Sequence, residues 1–192
     1  IEPIDPVRYI SNHSTGKMGY AIAAELASRG AQVTLISGQT ALDVPDGVQR
    51  VDVLSAQNMF DAFIERFESA DGAVMCAAVA DYTPADPSPV KIKKSDDEMV
   101  IRLKRTPDIA ATAGATKGDK LLVGFALETD NELENAVGKL HRKKFDFIVL
   151  NSLADPGAGF ATDTNKITII GKDGLQHPYP LEQKSDAARH IV

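Results

Sequence analysis

Apolar positions along the chain fall into short runs separated by stretches of helical spacing. Gln32 to Ser37 (QVTLIS) is an apolar run closed by Gly38 and reads as a buried strand. Val48 to Leu54 reads as a second. Gly72 to Ala80 (GAVMCAAVA) is apolar on both alternations, the pattern of a central parallel strand covered on both faces. Leu121 to Leu127 and Phe145 to Leu150 have the same character. From Lys17 to Arg29, Met18, Ile22 and Leu26 recur every fourth residue, and Gly30 stands at the C-terminal cap position. From Ala56 to Ser69, Met59, Phe60, Phe63, Ile64 and Phe67 make one apolar face, with Ser55 as its N-cap. Thr106-Pro107-Asp108 predicts a helix start with a hydroxyl cap, proline at the first helical position and an acid in the first turn. Asn131 to Lys144 is acidic at its start and basic at its end, as a helix dipole prefers.

Strands alternating with helices predict an α/β fold, a three-layer Rossmann-like arrangement of a mostly parallel sheet with helices on both faces. One domain is expected over residues 1–192. Two segments break the alternation. Lys91 to Arg105 predicts a hairpin, KIKK then MVIRLKR, turning at Ser95-Asp96-Asp97-Glu98. Lys166 to Tyr179 predicts another, turning at Lys172-Asp173-Gly174. Such hairpin arms extend a sheet or stand out from it as dimer contacts, so a homodimer is expected.

Charge narrows the partners. The chain carries 21 basic and 27 acidic side chains, a formal net charge of −6. A pI near 5.2 argues against the extended basic surface that nucleic-acid binding needs. Hydrophobic residues at 43% are enough for a buried core. The longest uncharged run, Gly72 to Ala80, is far short of the roughly 20 residues that cross a bilayer, so no membrane partner is expected. A single cysteine, Cys76, excludes a disulfide scaffold or a Cys-rich zinc site and suits a reducing cytoplasm. The chain opens on Ile1 rather than Met and shows no signal peptide, which fits a fragment of a longer protein.

Three groups of residues offer chemistry. Ser11-Asn12-His13-Ser14-Thr15-Gly16-Lys17-Met18-Gly19 precedes the first helix, where backbone N–H groups and the helix dipole favour a phosphate. The same residues read equally as a helix cap with glycines for close packing. Ala77 to Pro89 follows the most apolar strand, and ligands of open α/β sheets sit beyond the carboxyl ends of strands, which places Asp81 for a metal or a ligand hydroxyl. An Asp that only caps a loop is the plain alternative. Lys91, Lys93 and Lys94, with Lys139, Arg142, Lys143 and Lys144, concentrate cations in an acidic protein. Lysines are suitable point-charge partners for a triphosphate, although a solvated basic helix end accounts for such a run too. Lys139 and Lys143 share a helical face, where like charges repel unless an anion lies between them. The start at Pro107, Asp108, Ile109 and Ala110 is a further anion cradle. No His pair at metal-ligand spacing, no Gly-x-Ser-x-Gly elbow and no Gly-x-x-x-x-Gly-Lys-Ser/Thr loop is present.

In order, these pieces resemble phosphopantothenoylcysteine synthetase, the ligase half of bacterial bifunctional coenzyme A biosynthesis proteins. The likeness rests on Glu2 to Gly19 (EPIDPVRYISNHSTGKMG), Ala77 to Tyr82 (AAVADY), Lys91 to Lys94 (KIKK), Pro107-Asp108-Ile109 and Gly124 to Thr129 (GFALET), and it covers nearly the whole chain. The family normally opens with a strand and a glycine-containing turn ahead of Glu-Pro-Ile-Asp, so a truncated N-terminus is expected. The flavin-dependent decarboxylase domain that usually precedes the synthetase is also absent from this sequence, so no FMN is expected.

The resemblance implies a ligase that joins 4′-phosphopantothenate to cysteine through a CTP-derived acyl-cytidylate, with Mg²⁺ on the nucleotide. It implies that Lys91 approaches the triphosphate and that Asp81 binds the nucleotide or its metal. Pro107, Asp108, Ile109 and Ala110 would contact the nucleotide, Phe125 would line its pocket, and Lys139 and Lys143 would complete a charged rim. Asn12 would polarise the acyl carbonyl, with Arg8 and Ala78 around the pantothenate side. Two rivals remain at this point. An NAD(P)-dependent short-chain reductase fits Thr15 to Gln39, but none of the four tyrosines has a lysine four residues on. A nucleotide-binding module without catalysis would keep the fold and the basic residues.

Overall fold

In the computed structural model the described residues are 1–94, 98–128, 130–152, 159 and 162–192. The chain enters through a small antiparallel pair, β1 (Glu2–Pro3) and β2 (Tyr9–Ile10), and turns into helix α1 (Lys17–Ser28). Gly16 makes that turn at φ 81°, a left-handed conformation that glycine adopts without a Cβ penalty. Two parallel strands, β3 (Val33–Ser37) and β4 (Val48–Asp52), lead to α2 (Ala56–Phe67). Ser55 starts α2 with a reciprocal cap: its hydroxyl accepts the Asn58 N–H at 3.2 Å, and the Asn58 side chain accepts the Ser55 N–H at 3.3 Å. Next come β5 (Gly72–Met75), the antiparallel pair β6 (Tyr82–Pro84) and β7 (Leu103–Arg105), α3 (Ile109–Thr116), β8 (Leu121–Glu128), α4 (Glu132–Arg142) and β9 (Phe147–Ser152). The chain closes with β10 (Thr164–Asn165), β11 (Ile167–Gly171), β12 (Gln176–Pro178), β13 (Glu182–Gln183) and α5 (Lys184–Ile191).

The main sheet has the order β12-β11-β9-β8-β5. Its β5, β8 and β9 are parallel, and β11 and β12 are added antiparallel at one side. Period-two alternation splits β8 and β9 between two cores. Leu122, Ala126, Ile148 and Leu150 face Phe63 and Phe67 of α2, Ile109 and Ala113 of α3, and Ala136 and Leu140 of α4. Val123 and Val149 face Met18 and Ile22 of α1 and Ala187, Ala188 and Ile191 of α5. Helices therefore cover both faces of a mostly parallel sheet, in three layers. Phe145 is 1% exposed, and burying such a side chain is worth about 1.5–3 kcal/mol.

Several expectations need correction. The run Gly72 to Ala80 is not a covered central strand: β5 stops at Met75, is the last strand of the main sheet, and none of its four residues is fully buried. Its register with β8 ends at Met75 opposite Gly124. Beyond that point the backbone is held by side chains instead, with the Asn12 amide donating to the Ala78 carbonyl and the Thr106 hydroxyl donating to the Ala80 carbonyl at 2.6 Å.

The first arm is also paired differently. Leu103 to Arg105 pairs with Tyr82 to Pro84, and Lys91 to Lys94 is not a strand. The Ile92 backbone is taken up by Asp5 and Arg8, so it has no free ladder groups. The expected turn at Ser95, Asp96 and Asp97 lies outside the described residues. The second arm, by contrast, forms as β11 and β12 and extends the sheet.

At α3 the cap is Asp108, not Thr106. The Asp108 carboxylate accepts the Ala111 N–H at 2.8 Å, while Thr106 is occupied with Ala80. Helix α5 carried no clear signal in the sequence because it is short and its buried face is made largely of the small residues Ala187 and Ala188.

Gly114 in α3 sets how closely α4 approaches. A Cβ there would lie 2.0 Å from the Lys143 carbonyl oxygen, a rigid backbone atom. Gly114→Ala is therefore expected to lower the unfolding free energy by about 1–3 kcal/mol and to push the Lys143 backbone outward. Urea unfolding measures the first effect, and an unchanged midpoint would show that α3 and α4 do not touch here.

Candidate active site

The carboxyl end of the β5–β8 pairing is where the sequence-selected residues gather. Phe125 is the first residue of β8 beyond the reach of β5, and its carbonyl accepts the Lys139 ammonium at 2.7 Å. Lys139 projects from α4, and Lys143 stands one turn further along. The Lys143 ammonium pairs with the Asp108 carboxylate at the start of α3. Pro107 precedes that cap, Ile109 is buried under it, and Ala110 is half-buried beside it. Asp81 closes the group: its carbonyl accepts the Thr106 N–H at 3.0 Å, and its carboxylate acts electrostatically on Lys139.

Two cations are held close together in this group, Lys143 by the Asp108 carboxylate and Lys139 by the Phe125 carbonyl. Burial pushes the Lys139 ammonium below the ordinary lysine value, and the like charge of Lys143 adds to this. Glu128, Asp81 and Asp108 oppose the shift without cancelling it. For Asp108, burial alone would raise the carboxyl, but the Lys143 ammonium and the Ala111 N–H outweigh it and hold the group below the usual carboxylate range. Glu128 was not picked out from the sequence. Its place directly after the apolar run Leu121 to Leu127, inside the GFALET segment, was the signal that could have marked it.

Asn12 joins the same end of the sheet through the Ala78 carbonyl, and its own side-chain oxygen accepts the Ser14 N–H at 3.1 Å. The amide bridges the segment before α1 and the segment after β5. Gly16 caps α1 in a left-handed conformation and without a side-chain hydrogen bond of its own. An open pocket of about 290 Å³ lies there, lined by Lys17, Tyr20, Leu42, Asp43, Asp163 and Lys184.

Arg8 and Lys91 are not brought against Asp81 and Lys139 by direct contacts. Arg8 is occupied by Asp5, with Nη2 to Oδ2 at 2.5 Å, and by the Ile92 carbonyl at 2.7 Å. Lys91 is exposed, and its ammonium forms no ion pair among the described residues. Ser37, at the end of β3, is buried with its hydroxyl 3.0 Å from the Tyr20 phenol, and so is not presented to a cofactor ribose.

For a divalent cation, no cluster of three or more His, Cys, Asp or Glu side chains occurs among the described residues. Asp81 alone fits Mg²⁺ that arrives on phosphates, since this ion commonly takes one or two carboxylates and completes its shell with phosphate oxygens and water. No helix among the described residues is long and apolar enough to cross a membrane.

A mostly parallel sheet covered by helices on both faces, with a lysine pair and a capped helix start at its carboxyl ends, has Rossmann-like α/β architecture. Comparison with known proteins takes the assignment further. Residues 1–192 match the DNA/pantothenate metabolism flavoprotein C-terminal domain, and the chain belongs to that family. It is 44% identical over its full length to the coenzyme A biosynthesis bifunctional protein CoaBC of Bacillus subtilis (strain 168), covering 47% of that protein. It is 51% identical to a cysteine/cysteine sulfinic acid decarboxylase from an unknown prokaryotic organism, covering all of this chain and 54% of that protein. The chain thus spans about half the length of the curated relatives it matches. The crystal structure of the C-terminal domain of CoaBC superposes with a TM-score of 0.83 at 42% identity, over 99% of this chain and 86% of the other.

The lowered Lys139 value carries a testable consequence. A bound polyanion restores the ammonium toward its ordinary value, so in the window between the two values binding takes up a proton. Affinity for a polyanion such as inorganic triphosphate is then expected to fall as pH rises through that window. Titration calorimetry at alkaline pH, in two buffers of different ionisation enthalpy, measures this. Heats independent of the buffer would show that no anion sits against Lys139.

Proposed function

We propose that this domain is a CTP-dependent ligase that joins 4′-phosphopantothenate to cysteine, working in the cytoplasm as a homodimer. One observation carries the reading. Asp81, Asp108, Phe125, Lys139 and Lys143, scattered along the chain, form one connected group at the carboxyl end of the β5–β8 pairing. Membership of a family shared with CoaBC supports the substrate class. The decarboxylase name of the 51% relative belongs to a protein about twice as long, and decarboxylation is the activity that the resemblance assigns to a preceding domain.

In this reading the carboxylate of 4′-phosphopantothenate attacks the α-phosphorus of CTP. The bond to the β-phosphate oxygen breaks, and pyrophosphate leaves with that electron pair. The cysteine amine then attacks the acyl carbon, CMP departs, and the amine proton is lost to solvent. Bringing a carboxylate to a polyanion demands neutralisation of charge, and phosphoryl transfer rests on positioning and electrostatics. Lys139 and Lys143 supply fixed cations. Lys91, exposed and with no ion pair among the described residues, supplies a further one. Asp81 would hold Mg²⁺ carried by the nucleotide, and that ion would neutralise triphosphate charge.

Pro107, Asp108, Ile109 and Ala110 present a helix start to the nucleotide, and Phe125 lines its pocket. On the other side, the Asn12 amide polarises the acyl carbonyl beside Ala78. Arg8 borders the pantothenate through the face that Asp5 leaves open. A dry site is needed, because water would hydrolyse the mixed anhydride.

The arm supports the dimer. Val90 is 68% and Val100 88% exposed, with Tyr82, Ile101, Leu103 and Tyr9 also open, an apolar surface on β2 and around β6 and β7 that a second copy would cover. Static light scattering at micromolar concentration should read twice the chain mass, and a monomer would reject the dimer.

For the reaction itself, CTP with Mg²⁺ should bind at least about tenfold more tightly than ATP, a difference of about 1.4 kcal/mol. Mixing CTP, Mg²⁺ and 4′-phosphopantothenate without cysteine should release one pyrophosphate per site. Equal affinity for the two nucleotides would remove the CTP assignment, and no pyrophosphate would remove the ligase.

A further inference from the structure

Asp5 is among the few buried acidic side chains, 4% exposed as a residue. Its two oxygens accept five hydrogen bonds. Oδ1 takes the N–H groups of Val7 and Arg8, each at 2.8 Å. Oδ2 takes Arg8 Nε at 3.0 Å, Arg8 Nη2 at 2.5 Å and the Ile92 N–H at 3.1 Å. Arg8 Nη2 also donates to the Ile92 carbonyl at 2.7 Å. Both backbone polar groups of Ile92 are therefore gripped by one ion pair from the far N-terminal part of the chain. Other contacts brace it. The Ile4 and Asp5 N–H groups donate to the Arg8 carbonyl at 2.8 and 3.2 Å, and the Ser88 N–H donates to the Ile4 carbonyl at 2.9 Å. Arg8 Nη1 reaches the Met99 sulfur at 3.9 Å.

Five acceptor contacts on one buried carboxylate are more than a short surface hairpin of two-residue strands needs. The residue they seize is the one after Lys91. Lys91 has no secondary structure of its own to place it, since residues 91–94 lie in no strand or helix. The Arg8 guanidinium, working against the cost of burial, keeps the Asp5 carboxyl well below the usual carboxylate range, so the pair stays charged across the working pH.

We propose that Asp5 is a positioning residue for Lys91: with Arg8 it clamps the Ile92 backbone and so fixes where the neighbouring ammonium meets the triphosphate. This rests on the role given to Lys91 above. Misplacing a charge by about 1 Å can cost on the order of a hundredfold in rate.

The test is a double-substitution cycle on the full chain, read by pyrophosphate release in a single turnover with CTP, Mg²⁺ and 4′-phosphopantothenate. Asp5→Asn alone should slow release by about ten- to a hundredfold. In a Lys91→Gln background the same substitution should cost less than about twofold more, because the group it positions is gone.

Multiplying effects, with Lys91→Gln impaired on its own, would overturn the clamp and leave the ligase reading standing. Wild-type release from Lys91→Gln would instead overturn the role of Lys91, and the clamp with it. Trypsin supplies a readout independent of turnover: Asp5→Asn should speed cleavage after Lys91 relative to cleavage after Arg105, and an unchanged ratio would overturn the clamp. If Asp5→Asn does not fold, Asp5→Glu carries the same cycle, since it keeps the charge but moves the carboxylate off the fork that Arg8 and the Ile92 N–H share.

Discussion

Strand β8 is the element on which the rest of the molecule depends. Leu122 and Val123 are fully or almost fully buried on opposite faces, and the strand pairs with β5 on one side and β9 on the other. A strand buried on both faces cannot slip by one residue without exchanging its two cores, so its register is strongly specified. That register decides where β5 stops. Because β5 ends four pairs along, the carbonyl of Phe125 lies past the pairing and is met by Lys139. The place where charged side chains collect thus follows from how far one short strand reaches along a longer one.

An acidic chain keeps these two cations close together by holding each with a neighbouring group of the fold. Lys143 is paired with Asp108 and Lys139 with a backbone carbonyl, so both are fixed in position by the fold itself. The cost appears as the lowered Lys139 value, which reflects a charge partly stripped of water. Arg8 and Asp5 apply the same principle to backbone: a charge pair grips a loop that no sheet holds. In each case the fixed partner is a capping or structural group, so the geometry of the fold and the geometry of the site are set by the same contacts. Gly114 illustrates this, since the close approach it allows between α3 and α4 also locates the Lys143 backbone.

Periodicity alone revealed most helices and strands and the class of fold, because each buried element carries its own pattern. It located α1, α2, α4, β3, β4, β8 and β9 to within a few residues, and the hairpin at Lys172 to Gly174 through its turn residues. It also marked Asp81, Lys139 and Lys143 as chemistry worth following. Other features were beyond its reach. The run Gly72 to Ala80 looks like a central strand from composition, but whether a strand is central is a property of its neighbours. Likewise KIKK reads as a strand by alternation, and it loses that fate to Asp5 and Arg8, some 85 residues earlier in the chain. Thr106 is as good a cap as Asp108 in sequence terms, and only the demand of the Ala80 carbonyl removes it.

What the sequence determined by itself is therefore local: which segments can bury one face, where most helices lie to within a few residues, and which side chains carry charge in an otherwise acidic chain. Hydrophobic spacing and cap chemistry act over a few residues and are written in plain order. Tertiary structure alone decided which of those charges meet. It set Lys143 against Asp108, Lys139 against Phe125 and Asp5 against Ile92, because such pairings depend on strand order and register, which bring together residues that no local pattern relates.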